Sequence, residues 1–127
     1  MLSISPEKQN KKSRLLCVDD DLCFLMLFTA VLESAGYCVI ATNDPHKGLE
    51  LAMDAGFDLV ILDYDMPGMN GAELAHEIKQ CKCDLPIILF SGNTSLPADA
   101  LSAVDDHVIK GESVESVLQT LSLRAAC

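Results

Sequence analysis

The sequence predicts a doubly wound α/β domain, a five-stranded parallel sheet with helices on both faces. Three observations carry this expectation. Short apolar runs without polar alternation recur along the chain, as strands buried on both faces read. Segments of helical spacing separate them, so strand and helix alternate five times through short loops, which implies right-handed crossovers. The chain has 127 residues, half of them apolar, enough for one core and too few for two ordinary domains.

Each element has its own signal. Leu15-Leu16-Cys17-Val18 is the first strand, ending at Asp19-Asp20-Asp21. Residues 22–35 have helical spacing and stop at Gly36, a usual residue just past a helix end. The second strand spans 37–41. Asp44-Pro45 opens the second helix with a cap followed by a proline in the first turn, and Gly56 closes it. Leu59-Val60-Ile61-Leu62 is the third strand, ending at Asp63. Pro67 to Gly71 is turn chemistry before a helix over 72–80. Pro86 to Phe90 is the fourth strand, followed by a loop over 91–95. A short helix over 97–103 leads to the strand His107-Val108-Ile109, and the last helix covers 113–123.

Composition narrows the function. Nine basic residues stand against 19 acidic ones, a formal charge of −10. Residues 1–14 hold Lys8, Lys11, Lys12 and Arg14 against Glu7 alone. Removing those four basic residues and one acidic residue leaves 5 basic against 18 acidic in the body. Such a body repels a phosphate backbone, so nucleic acid is not an expected partner. No run approaches the length of a membrane span, and Met1 to Asn10 lacks the apolar core of a signal peptide. The expectation is a cytoplasmic chain without membrane association. Its six cysteines then read as reduced thiols, with Cys17 and Cys38 acting as small apolar side chains inside strands. Cys81-Lys82-Cys83 lacks a second ligand pair at zinc spacing.

In doubly wound sheets ligands bind beyond the carboxyl ends of the strands. The residues there are Asp19 and Asp20 after the first strand, Asp63 after the third, Ser91 after the fourth and Lys110 after the fifth. Singly, each has an ordinary reading as a helix cap, a turn aspartate, a loop serine or a surface lysine. Together on one rim they suggest a site. Crowded carboxylates repel unless a cation binds or a pKa rises, and oxygen ligands with room for water suit Mg2+. A lysine and a hydroxyl at the same point suit a phosphoryl group. The implied chemistry is phosphoryl transfer onto a carboxylate, with Asp as nucleophile.

Val18-Asp19-Asp20-Asp21, the block from Leu59 through Asp63-Tyr64-Asp65-Met66-Pro67-Gly68 to Gly71, Pro86-Ile87-Ile88 and Lys110 together resemble the receiver domain of two-component response regulators. The resemblance covers about residues 14–124. It implies a flavodoxin-like fold with strand order 2-1-3-4-5 and a signalling protein rather than an enzyme. It also implies that Asp63 takes a phosphoryl group from a sensor histidine kinase or a phosphotransfer protein. Asp20 and Asp63 match the carboxylates that touch Mg2+, Asp19 the one that holds it through water, and Asp65 the backbone carbonyl that completes the metal shell. Ser91 matches the hydroxyl that bonds the phosphoryl oxygen and shifts on activation, and Lys110 the lysine that pairs with the phosphoryl group.

Departures from the family pattern are also visible. Gly111 stands where the family usually has a cis-proline; a non-proline cis bond costs roughly 3 kcal/mol, so a trans peptide is expected. Gly92 replaces an alanine. His107 occupies the position of the aromatic switch. The stretch from Ser91 to Lys110 is short, which predicts a stunted fourth helix. In the first helix, Phe24, Leu27, Phe28, Val31 and Ala35 read as the core face. Leu22, Leu25, Met26 and Leu32 then form an outward apolar stripe for a kinase helix or a second copy of the chain. Residues 1–13 read as a disordered basic tail, 14–124 as the receiver domain and 125–127 as a short C-terminal tail, a stand-alone receiver. Two alternatives stay open: a receiver-like interaction module that is never phosphorylated, and a haloacid-dehalogenase-type phosphatase, suggested by Asp63-Tyr64-Asp65.

Overall fold

The computed structural model describes residues 12–54, 56–92, 95–111 and 114–125. Ten elements alternate: β1 (Arg14–Val18), α1 (Leu22–Ser34), β2 (Cys38–Thr42), α2 (Pro45–Ala52), β3 (Leu59–Asp63), α3 (Gly71–Cys81), β4 (Ile87–Ser91), α4 (Ala98–Ser102), β5 (Asp106–Ile109) and α5 (Val114–Ala125). The strands form one parallel sheet in the order β2-β1-β3-β4-β5, the flavodoxin-like topology. The last helix runs to Ala125, a residue the sequence placed in a tail. Most of the basic N-terminal segment, and Cys127, lie outside the described residues.

Side chains alternate across a strand, and this splits the apolar runs into two cores. Leu16, Val18, Val60, Leu62, Ile87 and Leu89 pack under α2, α3 and α4. Leu15, Cys17, Leu59, Ile61, Ile88 and Phe90 pack under α1 and α5. Every residue of β3 and β4 is buried. Strand β2, at the edge, is not: Cys38 and Ile40 are exposed, so the reading of Cys38 as a buried small apolar residue is corrected.

The caps follow from local chemistry. Asp21 accepts from the Phe24 N–H at the start of α1, and Asp44 from the His46 N–H at the start of α2. Asn70 and Glu73 form a reciprocal capping box on α3.

Helix α1 sits rotated from the expected face. Leu25 and Leu32 are 5% and 0% exposed, while Leu27 is 71% exposed and Ala35 also lies outside. The outward stripe of Leu22, Leu25, Met26 and Leu32 therefore does not exist as a unit. Leu25 and Leu32 are core, and the large exposed apolar residues of α1 are Leu22, Met26 and Leu27. A nearly uniformly apolar helix satisfies helical spacing in more than one rotation. Phe28, stacked on Phe24 at 5.2 Å and tilted against Phe90 of β4 at 5.0 Å, is common to both rotations; burial of Leu25 and Leu32 rather than Leu27 marks the one adopted.

Candidate functional site

The topological switch lies between β1 and β3, because the chain goes one way from β1 to β2 and the other way through β3 to β5. A crevice opens there at the carboxyl ends of the strands. Val18 pairs with Leu62 in the parallel register, so Asp19 and Asp63, each one residue further, emerge side by side. Both are only 4% exposed. Asp20 joins them from the β1–α1 loop and is exposed; one carboxylate oxygen from each of the three lies within 4.8 Å of the others. The three consecutive aspartates divide the work, since Asp21 caps α1 while Asp19 accepts from the Asp21 N–H at 2.9 Å.

Lys110, just past β5, reaches into this cluster. Its Nζ is 2.8 Å from Asp19 Oδ2 and 3.3 Å from Asp63 Oδ1. Its backbone N–H donates to the Ser91 carbonyl at 2.8 Å, which ties the lysine to the end of β4, where Ser91 is fully buried. Burial by itself would lower the lysine pKa, but the bond to Asp19 and the charge of Asp63 together hold it above its ordinary value. Asp63 shows the opposite balance for a carboxylate. Burial first, then the charge of Asp19, push it up to about 7 against the pull of Lys110. Cys17, beneath the rim, is a passive thiol whose pKa is raised by burial and then by Asp19.

Two contributors escaped the sequence reading. Phe24, assigned there only to the core, places its ring 4.3 Å under the Lys110 ammonium, a cation–π contact that holds the lysine over the site. The available signal was its place in the first turn after the acidic run. Gly71 is the other. A Cβ on it would collide with the Asp63 carbonyl and would lie 2.7 Å from Leu89 Cδ1. Only glycine lets α3 begin this close to Asp63, and the Gly71 N–H donates to the Tyr64 carbonyl at 3.0 Å.

The remaining expected residues are spread around the rim. Asp65 is exposed in the β3–α3 loop, two residues beyond Asp63. His107 pairs with Leu89 in the sheet; its Nε2 is buried without a hydrogen-bond partner. The Lys110–Gly111 peptide is trans, and Gly111 has φ +100°, a conformation closed to proline with its φ near −65°. The glycine is therefore a rearranged loop rather than a copy of the family's cis-proline turn. Helix α4 has five residues, as the short connection predicted. Leu22 and Met26, on α1, are 55% and 72% exposed.

The donor set suits a hard divalent cation, since three carboxylates converge with one oxygen apiece. Lys110 neutralises only part of their charge.

Residues 15–122 match the response regulator receiver domain. The two-component response regulator ARR12 of Arabidopsis thaliana is 36% identical over 110 residues, which cover 82% of this chain and 18% of that protein. The chain spans 11% to 49% of the length of eight curated relatives that it matches. Among solved structures, a CheY-like receiver domain protein from Methanospirillum hungatei superposes with a TM-score of 0.85 at 26% identity, covering 91% of this chain and 95% of that one. The response regulator TrrA of Thermotoga maritima, solved in complex with Mg2+ and BeF, gives 0.83 at 30% identity over 87% and 97% of the two chains. Sheet order, the acidic crevice at the β1–β3 switch and a match spanning nearly all the described residues agree, and the chain belongs to the response regulator receiver domain family.

Proposed function

We propose that the chain is a phosphoacceptor of two-component signalling, taking a phosphoryl group onto Asp63 from a phosphohistidine of a sensor histidine kinase or phosphotransfer protein. The carrying observation is the setting of Asp63, a buried carboxylate beside Asp19 in the crevice, with Lys110 bridging the two. An Asp63 oxygen attacks phosphorus as the P–N bond to the donor imidazole breaks, leaving an acyl phosphate on Asp63. Lys110 changes partners in this step, from the Asp19 and Asp63 carboxylates to an oxygen of the transferred group. Ser91 offers its hydroxyl to another oxygen, with His107 behind it in the switch position. Asp19, Asp20, Asp63 and the Asp65 carbonyl would hold Mg2+. When bound, the ion offsets the repulsion among the carboxylates and favours the ionised form of Asp63.

The exposed side chains Leu22, Met26 and Leu27 on α1 supply the apolar contact for the phosphodonor beside the crevice, or for a second copy. Four exposed free thiols, Cys23, Cys38, Cys81 and Cys83, support a reducing, cytoplasmic location. No helix of the described residues is long and apolar enough to cross a membrane.

The test is intact mass after incubation with acetyl phosphate and Mg2+. The wild type should gain about 80 Da and Asp63→Asn nothing. Label on another carboxylate in the variant would overturn the assignment. No label on either protein would favour an interaction module that works without phosphorylation.

A further inference from the structure

A cavity of about 650 Å3 opens between α3, α4 and the β3–α3 loop, with Tyr64, the residue after Asp63, on its wall; its size is within the range of sites that take a ligand. Its origin is the brevity of α4. Across α4 and the turn after it, two of the side chains that line the cleft, Ala100 and Ala103, are small, and Ala72 faces the same space from α3. With Met69 they make an apolar floor. The rim is of one sign. Glu73, Glu77 and Asp99 are all exposed along it, and among the described residues no lysine or arginine lines the cleft. His76, also on the rim, lies 3.2 Å from the Gln80 side-chain nitrogen.

We infer that the α3–α4 cleft is a docking surface for a basic amphipathic protein segment, which places an apolar side chain on the alanine-lined floor and Lys or Arg side chains against Glu73, Glu77 and Asp99. Charge complementarity selects this occupant. A nucleic acid would meet three carboxylates and a chain of net charge −10. A second copy would bring that same −10 to the rim. A small polyamine matches the rim but leaves the apolar floor uncovered, forgoing the burial that the floor offers. The cleft is independent of the phosphoacceptor reading, since none of these residues belongs to the acidic crevice.

The experiment titrates the full-length 15N-labelled chain with a synthetic helical peptide of roughly 18 residues, leucine on one face and lysine on the other. Ionic strength is held at about 0.15 M to screen diffuse attraction. Amide shifts should concentrate at residues 69–77 and 98–103. The surface variant Glu77→Lys/Asp99→Lys should weaken binding about tenfold or more. Asp84→Lys/Glu115→Lys makes the same charge change at exposed positions outside the cleft and should weaken it less than about threefold. Ala103→Leu, which fills the floor, should also weaken binding; if it fails to fold, the surface pair still decides. Equal losses in the two charge variants, or shifts spread over the whole acidic surface, would overturn the inference. Displacement of the peptide by an equal concentration of spermine would also overturn it, marking a site for bare cations.

Discussion

Lys110 lies closer to Asp19 than to Asp63, with Nζ 2.8 Å from Asp19 Oδ2 and 3.3 Å from Asp63 Oδ1. The lysine is thus parked on the neighbour of the proposed phosphoacceptor, and its attachment is reinforced by the face of Phe24. On the proposed function, an incoming phosphoryl group would draw it across the crevice.

Lys110→Met separates its two electrostatic roles. Phosphorylation by acetyl phosphate should slow by about 10²-fold, the usual cost of removing one preorganised positive donor. Mg2+ affinity should instead tighten, because a positive charge that repels the cation is gone. Rates by intact mass and affinity by calorimetry check the two directions. An unchanged rate would remove Lys110 from the phosphoryl site.

The raised Asp63 pKa makes stability depend on pH with a definite sign. The folded carboxyl binds its proton more tightly than the unfolded one, from an ordinary value of 3.8 up to about 7. Its favourable contribution is complete below pH 3.8 and is lost as pH rises through 7. In metal-free buffer, Asp63→Asn should match the wild type near pH 4 and exceed it by on the order of 2–4 kcal/mol at pH 8. Thermal melts with a chelator at both pH values test this, and added Mg2+ should narrow the gap by stabilising only the wild-type carboxylate. A variant less stable than the wild type at pH 8 would reverse the sign and refute the raised pKa.

The rotation of α1 is open to a paired test. Leu32→Ala removes a fully buried side chain and should cost about 2–5 kcal/mol. Met26→Ala, at a position 72% exposed, should stay within about 0.5 kcal/mol. Urea unfolding of the two variants decides, and comparable losses would mean that the helix packs by the other face.

Much of the crevice was legible because its members sit immediately after apolar runs. Asp19, Asp63, Ser91 and Lys110 each come at the end of a strand, and parallel strands deliver their carboxyl-terminal residues to one edge. The role of Phe24 was not legible, since an aromatic residue in an apolar helix reads as core whether or not a cation rests on it. Gly71 was read as turn chemistry; its contact with the Asp63 carbonyl depends on how near α3 begins to β3, a distance no local pattern encodes.

By itself the sequence determined the order of the ten elements, the parallel sheet, the helix cap at Asp44 and the acidic rim. All of these rest on chain-local preferences for periodicity, turn and cap. Tertiary structure alone decided which side of α1 is buried, that Cys38 lies on an exposed edge, that Lys110 rests on Asp19, and that a five-residue α4 leaves a cleft. The physical reason is that burial and pairing belong to the neighbours a residue meets across space. An apolar helix offers several rotations of nearly equal spacing, and only packing against the sheet and its neighbours, which here buries Leu25 and Leu32 and leaves Leu27 outside, selects one.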